Sequence, residues 1–118
     1  MSDEVRPPGK TTIAPEVLLT IANLTTLSVE GVSAMSPSPG GVNRLLRKGH
    51  QNNGVQIEIE GDRVDANIYV ILEKDAQIRE VSSTIQREVG RAISEMVGME
   101  VGEINIHIED FDFETKNT

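Results

Sequence analysis

Glu16-Val-Leu-Leu-Thr-Ile-Ala-Asn-Leu-Thr-Thr-Leu-Ser-Val-Glu-Gly-Val32 and Glu88-Val-Gly-Arg-Ala-Ile-Ser-Glu-Met-Val-Gly-Met-Glu-Val-Gly-Glu-Ile104 read as one phrase written twice. Val17 matches Val89, Ile21 matches Ile93, Leu24 matches Met96, Leu27 matches Met99, Val29 matches Val101 and Val32 matches Ile104. Midway through each copy the apolar spacing changes from the three-to-four step of a helix to the two-step of a strand. Each copy therefore predicts a helix running straight into a strand. Such a unit offers one apolar stripe and one apolar strand face and buries neither alone, so two of them around a shared core predict a small two-layer domain. Few aligned positions are identical, so the echo is read as similar structural demands and not as proof of duplication.

The first helix is expected from Pro15 to Leu27, with Pro15 in the first turn and Glu16 at the positive end of the dipole. Its spacing puts Val17, Leu18, Ile21, Leu24 and Leu27 inward and Thr20, Asn23 and Thr26 toward water. A strand follows from Val29 to Met35, with Gly31 at a bulge or close approach. Residues 36–54 are irregular: a Ser-Pro-Ser-Pro-Gly-Gly run, one or two helical turns from Val42 to Lys48, and a His50-Gln-Asn-Asn-Gly loop.

Val55, Ile57 and Ile59 then alternate with Gln56, Glu58 and Glu60, and past Gly61-Asp62 the alternation resumes with Val64, Ala66, Ile68, Val70 and Leu72. That pattern is a hairpin with one dry and one wet face. A second helix carries Ile78, Val81, Ile85, Val89, Ala92, Ile93 and Met96 as its stripe and ends at Gly98. Gly90 in its interior marks either a close backbone approach or a tolerated exposed glycine. The last strand points Ile104, Ile106 and Ile108 inward and Asn105, His107 and Glu109 outward. The predicted fold class is α+β and two-layer: a small mixed sheet of three to four strands with two helices packed on one face, in the order α-β-β-β-α-β. Residues 1–10 read as a flexible leader, 11–113 as a single domain and 114–118 as a frayed tail.

With 118 residues the chain has room for one core of ordinary size. A net charge of -8 argues against a phosphate backbone as the main partner, so nucleic acid is not expected. The absence of cysteine excludes disulfides, thiolate ligands and a cysteine nucleophile, and fits a reducing cytoplasm. The longest strongly apolar run, Ile68 to Leu72, falls far short of the roughly 20 residues a membrane span needs. No direct membrane span and no signal peptide are expected.

Candidate chemistry is sparse. His107 stands on the wet face near Glu58 or Tyr69, but no second histidine lies at ligand spacing, so a solvated histidine is the plain reading. No catalytic, cofactor-binding or metal residues are assigned, and no cofactor is expected. The candidate exposed sheet face comprises Glu58, Asp65, Asn67, Tyr69, Asn105 and His107. Arg44, Arg47 and Lys48 lie in a stretch from Gly31 to Ile57 that contains no acid, whereas Glu100 to Glu114 holds six acids and no lysine or arginine. These three basic residues form a candidate docking patch for an acidic surface of a second copy, an acidic partner or anionic lipid.

The run Ile13-Ala-Pro-Glu-Val to Gly31-Val-Ser-Ala-Met35 resembles the opening of the alkaline shock, or envelope stress response, family of bacterial proteins. Gly54-Val-Gln-Ile-Glu58, Ile78-Arg-Glu-Val-Ser-Ser-Thr-Ile-Gln86 and Gly98-Met-Glu-Val-Gly-Glu-Ile-Asn-Ile-His-Ile108 keep step with it, so the similarity spans about residues 11–110. The resemblance implies a cytoplasmic, non-catalytic protein of cell-envelope stress or homeostasis. It further implies self-association and recruitment to the inner face of the membrane by an integral membrane partner. It carries over no catalytic residues. The expectation is therefore a non-enzymatic scaffold that self-associates and docks; the alternative is a small ligand-binding or enzyme-accessory domain using the Ser36 to Gly54 loop.

Overall fold

The computed structural model describes residues 12–37 and 49–113. The expected leader and tail, the helical turns from Val42 to Lys48 and the patch Arg44, Arg47 and Lys48 lie outside the described residues. Helix α1 spans Pro15–Leu27, followed by strands β1 (Val32–Met35), β2 (His50–Asn52), β3 (Val55–Glu60) and β4 (Arg63–Glu73). Helix α2 covers Ile78–Ala92 and passes through a π-helical turn, Ile93–Val97, before strand β5 (Glu100–Asp112).

The fold is the expected α+β arrangement, with a mixed sheet of five strands. Strand β4 is its spine. Along one edge it pairs antiparallel with β3 through residues 63–68 and with β1 through residues 70–72, so β1 and β3 lie end to end. Along the other edge it pairs parallel with β5, the arrangement that the helical crossover between them permits. At the junction of β1 and β3 the Ser36 amide donates to the Tyr69 carbonyl and the Tyr69 amide donates to the Gly54 carbonyl. A Cβ on Gly54 would stand 2.6 Å from the Ser36 carbonyl oxygen, and its φ of +86° is strained for any other residue.

The added strand is β2, where a loop was expected around His50. Its three residues are polar and show no alternation. Register comes instead from the turn: Asn53 and Gly54 both have positive φ, 51° and 86°, and Asn52 pairs with Val55 across that two-residue loop. Asn-Gly is the pair most suited to this hairpin geometry. The first strand is also shorter than expected, because Val29 to Gly31 form a turn. Gly31 makes the predicted close approach, since a Cβ there would lie 2.7 Å from Val81 Cγ2.

Both helices bury one face. Strand residues Val55, Ile57, Val64, Ala66, Ile68, Val70 and Leu72 meet Val81, Ile85, Val89 and Ile93 from α2 and its π turn, with Ile104, Ile106 and Ile108 packed alongside. Helix α1 departs from expectation. Its buried residues are Leu18, Leu19, Ala22 and Thr26, while Val17, Leu24 and Leu27 are exposed and Ile21 is half-buried. The helix carries two apolar stripes, and periodicity alone does not say which one faces the sheet. Thr26 tolerates burial because its hydroxyl donates to the Ala22 carbonyl at 2.7 Å. The echo between the two phrases therefore holds for element order but not for helix facing: Val89 and Ile93 are buried where Val17 and Ile21 are not. Ile78 and Met96, expected in the α2 stripe, are also exposed.

Candidate functional site

Period-two alternation places Gln56 and Glu58 of β3, Asp65, Asn67 and Tyr69 of β4, and Asn105 and His107 of β5 on the sheet face away from the helices. Register brings them side by side: Glu58 opposite Asp65, Asn67 opposite Asn105, and Tyr69 opposite His107. The Tyr69 and His107 rings stack with centroids 4.4 Å apart and an interplanar angle of 13°. His107 Nε2 lies 3.0 Å from Asn67 Oδ1, an oxygen that can only accept, so the ring N–H donates. Tyr69 does not belong to an exposed face: it is only 9% accessible, and neighbouring Gln56 is buried as well. Gln56 Nε2 donates to Gln51 Oε1 at 2.8 Å, a link supplied by the strand that alternation missed.

Asp65 occupies the most constrained position. Strand β5 bulges opposite it, since Val64 pairs with Val101 and Ala66 with Ile104, which leaves Gly102 and Glu103 to share one partner. The Asp65 carboxylate accepts the Glu103 amide at 2.7 Å and lies 3.3 Å from the Arg63 guanidinium. The Glu103 backbone hydrogen bond holds its pKa below the usual carboxylate value; burial opposes this, and Arg63 adds to the lowering. A side chain at Gly102 would run into Asp65 and Arg63. The bulge thus explains a glycine that carries no turn signal in the sequence.

A cavity of about 150 Å³ lies at this face, lined by Gly49, His50, Gln51, Gln56, Ile57, Glu58, Asp65 and Asn67. Its lining offers acceptors and carboxylates, and Asp65 is already engaged by two donors. Among the described residues no group of three His, Asp or Glu is placed to hold a metal ion. The face is held by cross-strand polar pairs whose geometry serves the sheet. His50 opens the edge strand and does not join His107.

Sequence periodicity missed the outward stripe of α1 as a surface feature. Val17, Leu24 and Leu27 are 46%, 62% and 42% exposed, and Thr20 completes the line; Ile13, 36% exposed, lies just ahead of the helix. The signal was present: Val17, Thr20, Leu24 and Leu27 follow steps of three, four and three. A second, inward stripe at Leu18, Leu19 and Ala22 would have shown that the first was spare. No helix among the described residues is long and apolar enough to cross a membrane.

Among solved structures, the fold is similar to two zinc forms of the MamM C-terminal domain. They have TM-scores of 0.52 and 0.51 at 11% and 12% identity, each covering 86% of this chain and 91% and 90% of theirs. At that identity the likeness speaks for the fold alone. In sequence, the chain is 30% identical to YqhY of Bacillus subtilis over 109 residues, 92% of this chain and 81% of the relative. It is 27% identical to YloU of the same organism, covering 92% and 94% of the two chains. Spy1535 of Streptococcus pyogenes is 32% identical over 86% of this chain and 78% of its own. The profile of a family described by a cell envelope-related function matches residues 4–113, and the chain belongs to that family, alkaline shock protein 23.

Proposed function

We propose that this protein is a non-enzymatic component of cell-envelope stress response or homeostasis that works by self-association and by docking on an integral membrane partner at the cytoplasmic face. The observation that carries the reading is the outward face of α1, an apolar and uncharged strip on a chain of net charge -8. Exposed apolar stripes of this kind mark interaction sites far more often than they mark chemistry. Family membership supplies the envelope context. The polar sheet face, with Glu58, Asp65, Asn67, Asn105 and His107, is the second surface proposed for docking. Arg44, Arg47 and Lys48 remain a proposed contact for an acidic surface.

The test has two arms. Size-exclusion chromatography with light scattering, run across concentration at low and high salt, should show a species larger than the monomer; a monomer throughout would remove self-association. A pull-down from native membranes with this chain as bait should recover an integral membrane protein. Recovery of a soluble enzyme instead would favour an accessory domain. That alternative, with the Ser36 to Gly54 loop closing on a small anion, gains no support from the nearby cavity, whose lining includes Glu58 and Asp65.

A further inference from the structure

We infer that the outward stripe of α1 is a self-complementary helix seam, on which α1 of a second copy packs antiparallel about a two-fold axis. The inference rests on the self-association proposed above and names its surface. The spacing suits a helix as occupant. Val17, Thr20, Leu24 and Leu27 recur in steps of three, four and three, so they line one side of α1 along its length, a row against which a second helix can pack.

Charge decides which helix. From Val17 to Ser28 the chain has no charged residue, so two molecules of net charge -8 can approach along α1 with like charges only at the ends of the seam. Helix α1 also lacks the lysine and arginine that draw an interfacial helix to anionic lipid, and Glu16 and Glu30 flank it. A second copy satisfies these constraints, and an anionic membrane surface does not.

Direction follows from the side chains. With the axis between Thr20 and Leu24, Val17 of one copy meets Leu27 of the other and Thr20 meets Leu24, so a smaller residue faces a larger one in every layer. The same operation generates the reciprocal contacts, as a closed two-fold interface requires. Antiparallel packing also sends the two Glu16 carboxylates to opposite ends and opposes the helix dipoles. A parallel pair would bring both carboxylates together.

Because the protein has no cysteine, single-cysteine variants report the geometry directly. Thr20→Cys should give a covalent dimer with a bifunctional maleimide spanning roughly 10 Å, the reach set by helix packing distance and rise. Ser94→Cys, exposed on the π turn of α2, should not. Leu24→Glu should weaken dimerisation at least about 30-fold by light scattering, because it places a charge in an apolar seam. Leu24 is exposed in the monomer, so circular dichroism should show an unchanged fold. A dimer that persists in Leu24→Glu, with no Thr20→Cys cross-link, would overturn the seam while leaving self-association standing. A wild-type chain that is monomeric at every concentration would instead remove the reading on which the seam rests.

Discussion

On α1 the outward positions Val17, Leu24 and Leu27 are apolar and exposed, whereas on α2 the outward positions Arg87, Glu88, Arg91 and Glu95 form a chain of ion pairs. Arg91 reaches Glu88 at 3.9 Å and Glu95 at 3.6 Å, at the spacings where helix side chains meet. The helices share a layer and pack on the same sheet, and each buries a comparable inner row. Their outer rows therefore answer to different surroundings: α2 is finished as a solvent-facing helix and α1 is not. That contrast, more than any polar cluster, is what favours α1 as the proposed interaction surface.

The sharpest way to break the comparison is to truncate both faces of α1. Leu18→Ala removes a fully buried side chain and should cost about 2–5 kcal/mol in urea unfolding of the monomer, while Leu24→Ala should fall within about 0.5 kcal/mol of wild type. If Leu24→Ala proved as costly as Leu18→Ala at concentrations where the protein is monomeric, the outer row would be part of the core. The distinction between the helices would then disappear.

The same residues show what the sequence could and could not convey. The hairpin of β3 and β4 was legible because each strand has one dry row and one wet row, so alternation had a single solution. The middle of the α2 inner row, Val81, Ile85, Val89 and Ile93, was legible because the flanking faces are polar or charged, whereas Ile78 and Met96 at its ends were placed inward and are exposed. Helix α1 offered two apolar rows, and deciding between them required knowing which one the sheet would meet. Strand β2 was hidden because an edge strand of polar residues leaves no hydrophobic pattern, although Asn53-Gly54 announced its turn. On the sheet face, pattern grouped Glu58, Asp65, Asn67, Tyr69, Asn105 and His107 as one exposed set, and Tyr69 is buried. Pattern did not show that ring stacking with His107 accompanies the burial of Tyr69, or that the β5 bulge engages Asp65.

Within α2, Gly90 is a helix-interior glycine. A Cβ there would meet only Ile104 Cδ1, at an ordinary 3.6 Å, so neither close backbone approach nor strain requires glycine. Gly90→Ala should stabilise the fold by about 0.5–1 kcal/mol, measured as a higher urea midpoint with unchanged slope. A loss of stability would mean that α2 is more tightly pressed on β5 than its spacing indicates.

The open sheet face supplies a third surface against which to set the two helices. Asp65 is held below the usual carboxylate pKa in the folded state, so it stabilises the fold above the ordinary carboxylate range. That contribution disappears as pH falls through its folded-state pKa. Asp65→Asn should therefore lower stability near neutral pH by about 0.5 kcal/mol, the discounted scale of an exposed pair, and match wild type in acid. A difference that persisted unchanged at low pH would assign the effect to shape at the bulge and not to charge.

The smallest expected effect tests whether the ion pairs of α2 are more than solvation. Arg91→Ala removes both the Glu88 and the Glu95 contacts and should cost about 0.3 kcal/mol, an amount that fades as salt rises because the side chains are largely exposed. It should leave the light-scattering mass unchanged, since nothing on this face asks for a partner. The contrast with Leu24→Glu is then complete in sign and in readout: one substitution alters a small, salt-sensitive stability and not assembly, the other alters assembly and not the fold. If Arg91→Ala lowered the assembled mass, the finished appearance of α2 would be misleading, and its charged row would have to be counted as interface.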